Sequence, residues 1–303
     1  MPVSRRQFIA TTSVALGSLP FARLRAWQTA AGPATRFETI RRNVGYFTGK
    51  GGTIGWLVHT DALVVVDSQF PDTAKLCLDG LGQKSSRGID LLFNTHHHAD
   101  HTAGNGVFKQ KTQQIVAHAR VPELQKQFTA ADQPAPVVAD ATFTDVWSEE
   151  AGNERVTARH HGPAHTAGDS VIHFEQADVA HMGDLLFHEM HPFVDRPGGA
   201  SIQNWITVLE AVMKALPGNT TFIAGHSKPG LPVAHDRKAL QRQRDYFDAV
   251  LSQARKGIAA GSSKEEIAKA DTLAGFEGYH SAPPRLTLGF VLGVAYDELQ
   301  AKG

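Results

Sequence analysis

The chain has 303 residues, 42% hydrophobic and 20% charged, enough for a substantial core in one large domain or in one domain with a smaller appendage. Lysine plus arginine and aspartate plus glutamate stand at 30 each, which leaves no basic field for a phosphate backbone and excludes nucleic acid as an expected partner. The single cysteine, Cys77, excludes an internal disulfide and a thiolate cluster, so the 16 histidines and the carboxylates must supply any metal chemistry.

The first element is N-terminal. "SRRQFIATTSVALGSLP" sets Arg5 and Arg6 before a weakly apolar run of small residues, and this resembles a twin-arginine export signal. The run is too short and too rich in Thr and Ser for a transmembrane helix, and no later segment is long and apolar enough to span a bilayer. The expectation is a signal peptide over residues 1–32, a mature chain starting between Ala26 and Pro33, and a periplasmic protein without stable membrane insertion. The resemblance also implies export in the folded state, which suits a protein that loads metal in the cytoplasm.

Short apolar strands alternating with helices follow. "TIGWLVHT" and "ALVVVDS" are β-branched runs separated by a turn at Thr60 and Asp61, and predict adjacent antiparallel strands. Helix is expected over 72–83, burying Cys77 as a small core residue. "IDLLFNT" predicts a buried strand, and a second helix is expected over 102–111. "RVTARHH", "SVIHFE", "VAHMGD" and "TTFIAGH" repeat the strand form. In "SIQNWITVLEAVMKALPG", residues Ile202, Trp205, Ile206, Leu209, Val212, Met213 and Leu216 make one apolar helix face, capped by Ser201 and stopped by Pro217 and Gly218. A long amphipathic pattern over 236–256 and a short helix opening at Ser262 or Ser263, with Glu265 or Glu266 behind it, complete a layered α/β chain. A catalytic domain over 33–235 and a helical extension over 236–303 packed on it are expected.

"FNTHHHADHTAGN" directly follows a predicted strand. His96 and His98 are two apart and can turn toward one point, while Asp100 and His101 come round the other side as a helix begins. Other candidate ligands end other strands: His165 in "GPAHTAGDS", Asp184 in "HMGDLLF" and His226 in "IAGHSKPG". If those strand ends share one edge, enough donors meet there for metal, whose ligands must lie within about 2 Å of the ion.

HxHxDH at 96–101, a His within "GPAHTxGD", an Asp in "GDLLF" and a late "GH" together resemble the metallo-β-lactamase superfamily of binuclear hydrolases over roughly residues 40 to 230. That resemblance implies an αββα four-layer sandwich with two zinc ions in a shallow groove at one edge. Carried over by position, His96, His98 and His165 hold the first ion; Asp100, His101 and His226 hold the second, and Asp184 bridges both. Asp67, ending "LVVVDS", supports the loops without ligating. His97 is expected to point away. His59, His118, His173, His181 and His235 read as surface or core histidines. His160, His161, His188 and His191 are nearer, and one or two of them are candidates to line the groove or brace a ligand. Tyr279 and His280 lie in a lid or a plain loop.

Zinc suits donors that are imidazole-rich and free of sulfur. Iron and manganese stay open: oxygen-reducing two-iron relatives carry Glu where this chain has His98, and persulfide-oxidising relatives use one iron. With two metals, the chemistry is attack on a carbonyl by a metal-activated hydroxide that Asp100 orients. Zinc β-lactamases generally carry Cys or Ser where this chain has Asp184, whereas lactonases and glyoxalase II carry Asp. The expected function is therefore hydrolysis of amide or ester bonds in small cyclic substrates, lactone or β-lactam. A glyoxalase II-type thioester hydrolase and a non-catalytic periplasmic zinc-binding protein are the alternatives.

Overall fold

The strands sort their side chains by alternation, and that places the layers. In the computed structural model, which describes residues 34–301, β1 (Arg36–Arg41), β2 (Val44–Thr48), β3 (Ile54–Val58), β4 (Leu63–Val66), β5 (Ile89–Asn94), β6 (Thr112–His118) and β7 (Ala141–Phe143) form one sheet in chain order. In β4, Val64 and Val66 face one core while Leu63 and Val65 face another. A second sheet contains β8 (Val146–Ala151), β9 (Glu154–Arg159), β10 (Val171–Phe174), β11 (Val179–His181), β13 (Thr221–Ile223) and β15 (Ala234–His235). There Ile172, Phe174, Val179 and Ile223 turn toward the inter-sheet core, and Val171, Ala180 and Phe222 turn outward. A small parallel pair, β12 (Phe187–His188) with β14 (His226–Ser227), lies beside them. The expected export signal lies outside the described residues.

Helices cover both outer faces. α1 (Pro71–Lys84) buries Ala74, Cys77 and Leu81 against the first sheet. α2 (Ala99–Thr102), α3 (Asn105–Lys109) and α4 (Arg120–Phe128) complete that layer. α5 (Ile202–Ala215), α6 (Arg237–Ala259), α7 (Lys264–Ile267) and α8 (Leu288–Gln300) form the other, sharing one apolar cluster with the outer face of the second sheet. The result is the four-layer αββα sandwich. The described residues belong to one compact unit, with α6 against both α5 and α8. No helix among the described residues is long and apolar enough to cross a membrane.

One expected helix is broken. Over 102–111 the chain instead makes α2, then α3 from Asn105. The break has a tertiary cause: the Gly104 amide donates to the Gln69 carbonyl at 2.7 Å, and a Cβ at Gly104 would run into the Ser68 carbonyl. The turn that carries Asp100 and His101 thus packs on the loop after β4 and cannot run on as one helix. The Ser263 box is present with Glu266 as its partner.

Parallel pairing aims the functional loops. β4 and β5 are parallel, so the loops after Val66 and after Asn94 leave by the same edge. β11 and β13 are parallel and β10 runs against β11, so the loops after His181 and Ile223, and the loop before Val171, share an edge too. Backbone bonds pin the two edges together: Ser170 N to Thr95 O at 2.8 Å and Thr53 N to Gly225 O at 2.9 Å.

α5 is held from the far end of the chain. Glu298 of α8, 4% exposed, accepts from the Ser201 hydroxyl at 2.6 Å, the Ile202 amide at 2.8 Å and the Gln203 amide at 3.1 Å. These are orphan donors of the first helical turn, and a carboxylate there also opposes the positive end of the helix dipole. Glu298→Ala is expected to cost about 2 kcal/mol, read as a lowered thermal midpoint, with Glu298→Gln losing less.

Candidate metal centre

Asp67 is the last residue of the "LVVVD" run and adopts a left-handed backbone, φ 65°, that turns the chain sharply off β4. Its fully buried carboxylate accepts from Thr95 N at 2.8 Å through Oδ1. Oδ2 accepts from Thr95 Oγ1 at 2.8 Å and from His101 Nδ1 at 2.7 Å. Thr95 Oγ1, having given its proton to Asp67, accepts from His96 Nδ1 at 3.0 Å. These bonds put a proton on Nδ1 of both histidines and turn both Nε2 atoms toward the cluster, with the lone pair free on His96 and available on His101 once its second proton is lost.

The same logic fixes the rest of the first group. His165 Nδ1 donates to the Phe193 carbonyl at 2.8 Å, leaving the Nε2 lone pair. His98 Nε2 donates to Asp195 Oδ2 at 3.0 Å, leaving the Nδ1 lone pair. Three lone pairs now converge, with His98 Nδ1 3.1 Å from His96 Nε2 and 2.9 Å from His165 Nε2. Neutral nitrogens so placed repel one another unless a cation stands between them. Donors of a tetrahedral zinc with bonds of about 2.05 Å lie about 3.3 Å apart, close to what is seen. Asp184 Oδ2 completes the group, 3.8 Å from His96 Nε2 and 3.5 Å from His165 Nε2.

A second group gathers around the other oxygen of the same carboxylate. Asp184 Oδ1 lies 2.9 Å from His101 Nε2 and 3.4 Å from His226 Nε2. Asp100 Oδ2 lies 3.1 Å from His226 Nε2 and 3.8 Å from His101 Nε2. Room for His101 comes from Gly52, where a Cβ would strike its ring, and room for Asp184 comes from Gly225, where a Cβ would strike Oδ1. All seven residues read from the sequence as ligands therefore meet, in two groups joined at Asp184. Behind them, the Trp205 indole donates to the Leu185 carbonyl at 3.0 Å and sits 5.5 Å from the His165 ring, tying α5 to both loops.

Electrostatics differ between the groups. Burial, with the charge on His101, pulls His96 well below the ordinary imidazole range, and burial with His98 pulls His165 down to about 3. Burial opposes protonation of His226 as well, but the Asp184 charge and the hydrogen bonds the imidazole donates to Asp100 and Asp184 carry it up to about 10. Against the same burial, Asp184, Asp100 and Asp67 raise His101 well above its usual value. Burial would raise the Asp100 and Asp184 carboxyls, yet the neighbouring histidines hold both well below the usual carboxylate range.

Two neighbours escaped the sequence. Asp195, in the loop after β12, binds His98 and also lies 3.4 Å from His97 Nε2. His97 faces away from the converging nitrogens, as expected, but stacks on Phe128 at 5.4 Å and lines a groove of about 840 Å³ beside the first group. "EMHPFVDRPGG" has neither alternation nor helical period, so no local signal marks Asp195 as a partner. Of the four nearer histidines, none lines that groove. His160 Nδ1 bonds the Asp169 carbonyl at 2.7 Å, His191 bonds Tyr246, and His188 stacks on His235. Tyr279 packs flat on Tyr246 at 4.9 Å, and His280 pairs with Met190, so that segment is an anchored loop.

The charge difference has a consequence for pH. A metal entering the second group must displace the protons raised on His101 and His226, so its affinity there climbs with pH toward 10 and falls as the solution is acidified. In the first group His96 and His165 are held neutral by burial, so protons compete for those two nitrogens only at far lower pH. Dialysis of loaded protein stepwise from about pH 8 to about pH 5 is expected to empty the second group first, followed by elemental analysis and His226 NMR signals; simultaneous loss would refute the split.

The family model of the metallo-beta-lactamase superfamily matches residues 48–226. A metallo-beta-lactamase type 2 of Bacillus cereus is 24% identical over 194 residues, 63% of this chain and 73% of that one. A hydroxyacylglutathione hydrolase of Rhodospirillum rubrum is 26% identical over 172 residues, 55% of this chain and 58% of that one. Among solved structures, a metallo-beta-lactamase from Pontibacter korlensis superposes with a TM-score of 0.62 at 15% identity, over 71% of this chain and 99% of that one. A double mutant of a sec-alkyl sulfatase superposes at 0.67 and 15% identity, over 87% of this chain and 50% of that one. The matched span holds every donor from His96 to His226, and the chain belongs to the metallo-beta-lactamase superfamily as a metal-dependent hydrolase.

Proposed function

We propose that the chain is a dinuclear zinc hydrolase of amide or ester bonds in small cyclic substrates, a lactone or a β-lactam. The observation that carries this is Asp184, one oxygen turned to each of two sulfur-free donor groups. Bound zinc supplies Lewis acidity, which polarises a carbonyl and brings the pKa of water from about 16 to near 7. The side chains do the rest. The Asp100 side chain is 28% exposed, against 4% for Asp184 and none for Asp67, so it is the carboxylate that a water or substrate can reach. Ionised, it accepts a hydrogen bond from the attacking water and aims it, while His226 holds its Oδ2 in place. Phe193 and Phe187, against His98 and His226, wall the site with apolar surface.

A second reading, thioester hydrolysis of the glyoxalase II type, draws on the hydroxyacylglutathione hydrolases among the relatives. The groove favours it less: glutathione carries two carboxylates, and Arg285 is the one lysine or arginine among the lining residues. We propose further that Arg5 and Arg6 direct export to the periplasm. Lysine at both positions should leave the precursor in the cytoplasm, and unchanged periplasmic recovery would remove the idea.

Zinc-loaded protein should carry about two ions per chain by elemental analysis. It should turn over a lactone or a chromogenic cephalosporin faster than an aryl ester or a glutathione thioester, and lose this on chelation. Asp100→Ala should lower turnover by on the order of 100-fold or more. Asp67→Ala should instead weaken metal affinity about 10- to 100-fold while leaving turnover per bound metal largely intact. Full turnover by Asp100→Ala with both ions in place would sink the assignment.

A further inference from the structure

We propose that the groove beside the metal centre selects substrates bearing an apolar body and a single carboxylate, and that Arg285 binds the carboxylate. What is cleaved follows from the hydrolase reading above; the anion contact is argued from the groove alone. Arg285 lies beyond residue 226, where the family match ends. It sits on a turn closed by Ala282 N to Leu286 O at 2.8 Å and Leu286 N to Ala282 O at 3.2 Å, with Pro283 and Pro284 limiting its freedom. The turn is anchored beside the centre: His280 N donates to Glu189 O at 2.9 Å and His191 N to His280 O at 3.0 Å. The backbone that carries Arg285 is thus anchored, and the guanidinium stands 5.3 Å from the Phe193 ring, which is itself 5.4 Å from the ring of His98. A single aromatic ring separates the cation from the first donor group.

Among the described residues the Arg285 fork has no hydrogen bond and no ion pair. The carboxylate in the same groove, Asp195, is occupied by His98, His97 and the Gly198 amide. A planar fork without a partner suits an oxyanion taken in two parallel bonds. One cation with Asp195 nearby favours a monoanion over a doubly charged phosphate. The same groove also has open apolar surface: Phe128 and Val137, 46% and 38% exposed, are two of the five large apolar side chains standing exposed among the described residues, and both line it. Uncovered apolar surface of this kind in one groove with a lone cation matches an amphipathic anion.

The test uses the zinc-loaded full chain and two ligands of one shape, 4-phenylbutyrate and 4-phenylbutanol, with affinities measured by calorimetry. Arg285→Met keeps the stem against Phe193 and removes the charge. It should weaken phenylbutyrate binding about 10- to 100-fold and leave phenylbutanol unchanged, with Arg285→Lys in between. Equal affinities in wild type and Arg285→Met, or an equal loss for both ligands, would overturn the proposal. In parallel, paired aryl esters with and without a terminal carboxylate should show a raised KM at constant kcat in Arg285→Met for the carboxylated member only. If no ester or lactone is turned over yet the phenylbutyrate difference persists, the hydrolase reading fails and the anion site stands. If turnover is present but neither KM nor affinity responds to Arg285→Met, the reverse holds.

Discussion

Both donor groups lean on one carboxylate that stands behind them, Asp67. Asp67 is fully buried, and its two oxygens accept three hydrogen bonds, one from a backbone amide, one from a hydroxyl and one from an imidazole. Through Thr95 it sets the proton of His96, and directly it sets the proton of His101, so one anion orients a ligand in each group. A charge in so dry a place is tolerated only when its lone pairs are taken up. The geometry that satisfies Asp67 is the geometry that aims two imidazoles.

The sandwich exists to bring such loops together. Parallel neighbours β4 and β5 send Asp67 and the histidine cluster out on one edge, and parallel β11 and β13 send Asp184 and His226 out on the facing edge. Neither sheet holds a full set of donors. The first group takes His96 and His98 from one and His165 and Asp184 from the other. Cross-sheet backbone bonds at Ser170 and Thr53 keep the edges in register, which is why the donor atoms meet within a few ångströms on loops whose strands belong to different layers.

Much of this was legible beforehand, and the boundary is physical. Alternation in "LVVVD", the density of imidazole at 96–101 and the apolar face of α5 are local patterns, and each has its counterpart in the structure. The continuous helix over 102–111 failed because Gly104 must nestle on Ser68, a contact between residues far apart in sequence. Asp195 and Arg285 lie in loops with no period, so their partnership with His98 and Phe193 exists only once the loops are folded together. The cluster of donors was readable because it is carried at strand ends; the residues lining the groove beside it were not, because they are carried between elements.

The Glu298 cap on α5 has a bearing on how the molecule is made. Ser201, bound by Glu298, also donates its backbone amide to the Ala164 carbonyl at 3.0 Å, and Ala164 adjoins His165. The loop bearing the third imidazole is therefore braced by a side chain of α8, more than 130 positions further along the chain. During synthesis, an incomplete chain already carries all seven donors but lacks the brace that steadies His165. The brace on the His165 loop therefore forms only after α8 has been made and has docked on α5.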